Sequence, residues 1–290
     1  MKKIMCMVLA LMMVLSLVAC GGEPAATEPA ATEPGAVVTG VEDGVLTVGM
    51  ECAYAPYNWT QLDDSNGAVP IVNNPGSYAN GYDVMIAKKI CEANGWELEV
   101  MAIGWDGLPP ALNASTIVMV IAGQSMTPTR MAEVDMAGPY FYASIVCVTK
   151  ADSALANATG ISQLTGSCTA QTGTIWYDSC LPQIEGANQM PASETAPAMI
   201  MAVTSGTVDY ICTDMPTAMG ACAAYEGLKI LDFSGTDDDF EVDQSEIDIG
   251  ASVKKGNTVL LNAANDVLKA MTVDQFNDLM NQAISIQPAI

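Results

Sequence analysis

The 290-residue sequence predicts an α/β protein built as two lobes facing a cleft, and three observations carry that prediction. Short apolar runs alternate with helical patterns from residue 45 onward, the spacing that builds parallel sheets covered by helices on both faces. A helix–turn–strand unit occurs at 111–122 and again at 194–213, and each copy ends in a polar cluster, Gly123-Gln124-Ser125 and Thr213-Asp214. Hydrophobic residues make up 50% and charged residues 15%, enough apolar surface for a core in each lobe. Ligands on open parallel sheets sit beyond the carboxyl ends of the strands, where both clusters fall.

The elements follow in order. Lys2 and Lys3 precede an apolar run over 4–18 that ends in Leu17-Val18-Ala19-Cys20, the layout of a secretory signal peptide. A membrane-spanning helix needs about 20 apolar residues, whereas Gly21-Gly22 follow this shorter run at once. Leu-x-Ala-Cys resembles a bacterial lipobox, so residues 1–19 are expected to be removed and Cys20 to be lipidated. The next residues, to 44, repeat Glu-Pro-Ala-Ala-Thr at 23–27 and 28–32 and read as an extended, solvated tether.

Residues 45–50 read as the first strand. Asp83 is expected to cap a helix to about 93, with Ile86, Ile90 and Cys91 on one face and Asn94-Gly95 as its stop. Residues 98–102 form a second strand, 108–113 a short helix opened by Pro109-Pro110, and 117–122 a third strand before Pro128 opens another helix. In the second half, a helix over 194–204 leads through Ser205-Gly206 into a strand over 208–213. Lobe 1 is thus expected over 45–143 and lobe 2 over 144–249, with residues 250–290 returning to lobe 1 as its closing helices.

Charge and composition exclude several functions. Thirty-three acidic residues against ten basic ones give a net charge of −23, which repels phosphate backbones and argues against nucleic-acid binding. The absence of histidine removes the usual general base and the commonest metal ligand, and no metal or cofactor is expected. Arg130 is the one arginine. Setting aside Cys6 and Cys20, seven cysteines remain and no C-x-x-C occurs, so neither a redox motif nor a zinc ribbon is supported. Export permits Cys168–Cys180 or Cys212–Cys222 as disulfides, and buried free thiols are the alternative. Asp237-Asp238-Asp239 reads as a solvated loop without calcium-loop spacing.

An ordered set of motifs carries a family resemblance. Leu46-Thr47-Val48-Gly49-Met50-Glu51-x-x-Tyr54-Ala55-Pro56-Tyr57 is followed by Gly81-Tyr82-Asp83-Val84 and Trp105-Asp106-Gly107-Leu108. Then come Gly123-x-Ser125-Met126-Thr127-x-x-Arg130, Val134-Asp135, Pro139-Tyr140, Gln171-Thr172-Gly173-Thr174 and the 208–214 strand. Together, over about 45–285, they resemble the family 3 extracellular solute-binding proteins, amino-acid receptors of ABC importers. One departure is Ser115-Thr116-Ile117-Val118, where the family has Gly-x-x-Asp; the second half keeps it as Gly206-Thr207-Val208-Asp209. The resemblance implies a periplasmic-binding-protein-like fold of type II, a two-lobe Venus flytrap with a hinged cleft.

An α-amino acid in such a cleft needs donors for its carboxylate and an acceptor for its ammonium. Arg130 offers a planar fork that binds a carboxylate through two parallel bonds, with Ser125, Thr127 and the start of the helix at Pro128 beside it. A surface pair between Arg130 and Glu133 is the alternative. The resemblance makes Asp214 the ammonium-binding carboxylate, although Asp214 also suits a helix cap before Met215-Pro216. By the same resemblance the backbone of Gly173 and Thr174 meets the ligand carboxylate and the carbonyl of Gly123 helps hold the ammonium. Glu51, Tyr54, Trp59 and Trp176 supply the side-chain pocket, the tryptophans having core packing as their alternative.

These readings imply a monomeric, non-catalytic lipoprotein at the outer face of the cell membrane, or on its periplasmic side. It would capture a polar or cationic amino acid, or cystine, for a permease and its ATPase. An enzyme of cyclohexadienyl or arogenate dehydratase type on the same fold, with Glu51 as general acid, and a sensor that feeds no importer are the competing readings.

Overall fold

The computed structural model describes residues 39–288; the signal-like segment, Cys20 and most of the tether lie outside the described residues. The chain enters β1 (Val45–Met50), where Leu46, Val48 and Met50 are fully buried. Four short strands then form a small antiparallel sheet: β2 (Ala53–Tyr54), β3 (Asn58–Gln61), β4 (Val69–Pro70) and β5 (Tyr78–Asn80), in the order β2-β3-β5-β4. Helix α1 (Tyr82–Asn94) buries Val84, Ile86, Ala87 and Ile90 along one stripe and ends at Gly95, whose φ of 69° suits a residue without a Cβ. There follow β6 (Glu97–Ala102), α2 (Leu108–Asn113), β7 (Met119–Val120), α3 (Pro128–Glu133) and β8 (Val134–Phe141).

The second sheet begins with β9 (Ile145–Lys150). It continues through β10 (Thr165–Thr169), β11 (Gly186–Gln189), α4 (Ala196–Ser205), β12 (Tyr210–Asp214), α5 (Met215–Ala224) and β13 (Leu228–Leu231). A short α6 (Gln244–Ile247) precedes β14 (Ile249–Lys254), and α7 (Thr258–Ala270) and α8 (Val273–Ile286) close the described chain.

The two large sheets share one plan. Their strand orders are β6-β1-β7-β14-β8 and β11-β10-β12-β9-β13. In each, three strands run parallel, and the fourth in spatial order arrives out of turn and runs against its neighbours. That strand is β14 in the first sheet, antiparallel to β7 and β8, and β9 in the second, antiparallel to β12 and β13. Both sheets are therefore mixed rather than wholly parallel, because the strands beside the two crossings enter from the opposite direction. The two-lobe α/β class read from the alternation stands.

Local boundaries differ in instructive ways. Asp83 does not cap α1: Gly81 holds the N-cap position at φ 122°, and Asp83 lies in the first turn, fully buried. A Cβ at Gly81 would sit 2.4 Å from the Tyr57 carbonyl oxygen, so the entry to α1 requires glycine. The third strand shrinks to Met119–Val120, between the left-handed backbones of Ser115 at φ 57° and Gly123 at φ 61°. The strand expected at 208 starts at Tyr210, since the amides of Thr207 and Val208 both donate to the Ala202 carbonyl and finish α4. Glu194 is likewise outside α4, which Thr195 caps by accepting from the amide of Ala198.

All seven cysteines of the described residues are free thiols, six of them buried, so neither Cys168–Cys180 nor Cys212–Cys222 is bridged. Cys147 and Cys212 face each other across the β9–β12 ladder, packing as small apolar side chains. Asp238, in the acidic loop, accepts from the amide and hydroxyl of Ser162 at 3.1 and 2.6 Å and ties that loop to the turn before β10.

Candidate functional site

The carboxyl ends of four parallel strands supply the site. Glu51 follows β1, Gly123-Gln124-Ser125 follow β7, Gln171–Thr174 follow β10, and Asp214 ends β12. Hydrogen bonds cross from the first group to the second. Tyr57 Oη donates to Asp214 Oδ2 at 2.8 Å, Thr217 Oγ1 donates to Tyr54 Oη at 3.0 Å, and Gln171 Nε2 reaches Glu51 Oε1 at 3.5 Å.

Arg130 stands at the centre. Thr127 caps α3 by accepting from the Arg130 amide at 3.2 Å, which sets the arginine one turn into the helix and facing the cleft. Its Nη1 donates to the Ser125 carbonyl, its Nη2 reaches the Gly173 carbonyl at 3.5 Å, and its guanidinium lies 5.5 Å from the Trp105 ring centroid. No carboxylate pairs with it: the one ion pair among the described residues joins Lys255 and Asp135, so the expected alternative with Glu133 does not form. Burial lowers the guanidinium to about 10, against a small opposing effect of Glu133. A half-buried cation held by two carbonyls is poised for an anion.

Two chambers open on Arg130. The inner one, about 10 Å³, is bounded by Tyr54, Gly123, Ser125 and Arg130 from the first lobe, and by Gln171, Thr174 and Trp176 from the second, with Trp105 as a further wall. That volume admits about one water molecule. The outer chamber, about 530 Å³, takes in Thr127, Arg130, Gly173 and Thr174 and is rimmed by Asp106, Glu133, Asp178 and Glu246. Its size falls within the range of small-molecule sites.

Glu51 lies beside the inner chamber, behind Gln171. Its Oε2 is buried without a hydrogen-bond partner, and burial pushes the carboxyl up to about 7, with the Gln171 bond opposing and Asp83 and Asp106 adding repulsion. Asp214 is 1% exposed and touches neither chamber. Its Oδ1 accepts the Thr217 amide at 2.9 Å, the helix-capping geometry, while Tyr57 occupies Oδ2. Burial raises its pKa, and bonds from Thr217, Tyr57 and Tyr54 pull the other way.

Of the residues singled out in the sequence, the structure brings Tyr54, Gly123, Ser125, Thr127, Arg130, Gly173, Thr174 and Trp176 to the chambers. Gly173 presents its carbonyl, rather than its amide, to Arg130. Trp59 belongs elsewhere: its Nε1 donates to Gln61 within the small sheet, and its ring lines a separate apolar groove with Ile200 and Tyr225. It pairs with Ala53 across β2 and β3, while Tyr54 pairs with Asn58, so Trp59 and Tyr54 point to opposite faces of the small sheet. Trp105 and Gln171 were not singled out as site residues; each stood only inside a longer motif, with no spacing signal of its own. Tyr57 was missed as the partner of Asp214 because the two are 157 positions apart.

Known proteins resemble the chain over most of its length. It is 25% identical to a probable histidine-binding protein of Neisseria gonorrhoeae over 263 residues, covering 88% of this chain and 85% of the relative. It is 23% identical to the L-cystine-binding protein TcyJ of Escherichia coli over 233 residues, covering 80% and 79%. Other matches are partial: the chain spans 28% of the octopine-binding periplasmic protein of Rhizobium meliloti and 51% of the arginine-binding extracellular protein ArtP of Bacillus subtilis. Among solved structures, an amino acid ABC transporter substrate-binding protein from Streptococcus pneumoniae bound to L-arginine superposes with a TM-score of 0.72 at 20% identity, covering 86% and 99%. The ancestral amino acid-binding protein AncCDT-1, a precursor of cyclohexadienyl dehydratase, gives 0.65 at 26% identity, covering 84% and 97%. Residues 46–285 match the family model of the bacterial extracellular solute-binding proteins, family 3, and the chain belongs to that family.

Proposed function

We propose that this protein is the substrate-binding lipoprotein of an ABC importer, taking a polar or cationic L-amino acid, or cystine, between its lobes. One observation carries the reading: Arg130, a half-buried guanidinium without a carboxylate partner, projects from the first lobe to the Gly173 loop of the second. A ligand carboxylate supplies the missing anion and gains most when both lobes surround it, which favours the closed arrangement over the open one. Lobe 1 is assigned to 45–143 and 250–290 and lobe 2 to 144–249, so the cleft closes about two crossings. Asp214, reached on lobe separation, and the free Oε2 of Glu51 provide acceptors for ammonium groups. Cys20 carries the anchor, the permease and its ATPase receive the loaded protein, and the protein acts as a monomer that performs no chemistry. No helix among the described residues is long and apolar enough to cross a membrane.

A thermal-shift panel of the twenty amino acids, cystine, ornithine and small amines tests this, since a solute that binds only the folded state raises the melting temperature. Stabilisation by arginine, lysine, histidine or cystine is the expected result, and no response to any member overturns it.

A second reading rests on Glu51, whose carboxyl near 7 is suited to donating a proton, and on the similarity to AncCDT-1. Incubation with prephenate and arogenate decides it: release of the aromatic product, lost in Glu51→Gln, identifies an enzyme.

A further inference from the structure

We infer that Asp83, which touches neither chamber, is the positioning residue for both first-lobe loops of the site. Its carboxylate is fully buried in the first turn of α1 and each oxygen holds one relay. On one side, Asn58 Nδ2 donates to Asp83 Oδ2 at 2.7 Å, and Asn58 Oδ1 accepts the Cys52 amide at 2.7 Å. On the other, Tyr140 Oη donates to Asp83 Oδ1 at 2.7 Å and accepts the Gly123 amide at 3.0 Å. Cys52 follows Glu51, and Gly123 lines the inner chamber.

Both tethered residues have left-handed backbones, φ 54° at Cys52 and 61° at Gly123. Neither amide is a rung of its strand ladder, so each depends on a side-chain acceptor. An ionised carboxylate only accepts, and this fixes the direction of both relays. Asn58 must turn its amino group to Asp83 and its carbonyl to Cys52. Tyr140 must spend its one proton on Asp83 and so keeps lone pairs for Gly123. A carboxamide at position 83 offers a donor to one of these two donors and reverses that relay. The loops after β1 and β7 are 71 positions apart in sequence (52 and 123) and share this one buried anchor.

The significance for ligand capture rests on the solute-binding reading, but the anchoring does not, and the experiment separates the two. Amide hydrogen exchange is followed in the wild type, Asp83→Asn and Tyr140→Phe, with the amides of β6 and β10 as internal references. Asp83→Asn is expected to speed exchange at whichever of Cys52 and Gly123 lies on the reversed relay, by about tenfold or more relative to the references. Tyr140→Phe is expected to speed Gly123 alone. Wild-type rates at both amides in folded Asp83→Asn overturn the inference, as does equal acceleration of loops and references in Tyr140→Phe. If Asp83→Asn does not fold, the loop-selective effect of Tyr140→Phe decides. L-arginine is then titrated into each protein: loss of affinity in parallel with loss of protection ties the anchor to binding. A wild type that ignores the whole solute panel removes the solute-binding reading and leaves the exchange result standing.

Discussion

Tyr57 and Asp214 form a buried hydroxyl–carboxylate pair across the cleft, with Tyr57 Oη donating to Asp214 Oδ2 at 2.8 Å. The tyrosine comes from the turn between β2 and β3, the aspartate from the end of β12, and neither is more than 1% exposed. Burial, then the neighbouring Asp214 charge, raises the Tyr57 phenol well above its ordinary value, so the proton stays on oxygen and the bond keeps its direction. Tyr57→Phe leaves Oδ2 in an apolar setting with one donor fewer. A loss of about 1–3 kcal/mol in urea-denaturation stability is expected; no loss shows that the carboxylate finds another donor.

Glu51 makes stability depend on pH. Below about 4.5 its carboxyl is protonated in both the folded and the unfolded chain. As the pH rises the unfolded chain ionises first, so stability falls until the folded group ionises near 7, and then levels off. The interval corresponds to about 3 kcal/mol, and Asp83, pushed up to about 6 by burial, adds its own slope at lower pH. Denaturation of Glu51→Gln and wild type from pH 4 to 8 is expected to show the variant gaining on the wild type across that window. Parallel curves would mean that Glu51 ionises normally.

Arg130→Ala separates binding from folding. Affinity for the strongest solute of the panel is expected to fall about 100- to 1000-fold by calorimetry, because the ligand carboxylate is left buried without its partner. Folding stability is expected to stay within about 1 kcal/mol, since no acid loses an ion pair. Unchanged affinity removes Arg130 from the site.

Gly123→Ala tests the turn after β7. Its Cβ would lie 2.7 Å from Tyr54 Cε1 at a φ of 61°. Gly95 has a similar φ of 69° and open space around it. Gly95→Ala is expected to cost only the backbone part, about 1–2 kcal/mol, and Gly123→Ala about 3 kcal/mol together with weaker solute binding. Equal losses at the two sites would show that Tyr54 yields freely.

Much of this was legible in local residues. Pro109-Pro110 and Asn113 bounded α2 as found, Asn94-Gly95 ended α1, and Thr127-Pro128 opened α3, because caps and breakers act on the backbone within one turn. Arg130 stood out as the lone arginine, and the motif around it placed it beside Ser125. Trp59 falls in a groove apart from the Arg130 chambers, because proximity to Tyr54 in sequence says nothing about which face of β3 it occupies.

By itself the sequence determined the α/β alternation, the repeated lobe plan and the strand ends from which a site must be built, consequences of periodicity and of short-range backbone chemistry, while the family was legible in its ordered motifs. Only the tertiary structure decided which polar groups meet. It set Tyr57 on Asp214, left Glu51 Oε2 without a partner, and made Asp83 the shared acceptor for Asn58 and Tyr140. Such pairings depend on bringing together elements far apart in sequence and on loss of water around each carboxylate, and both exist only once those elements have packed.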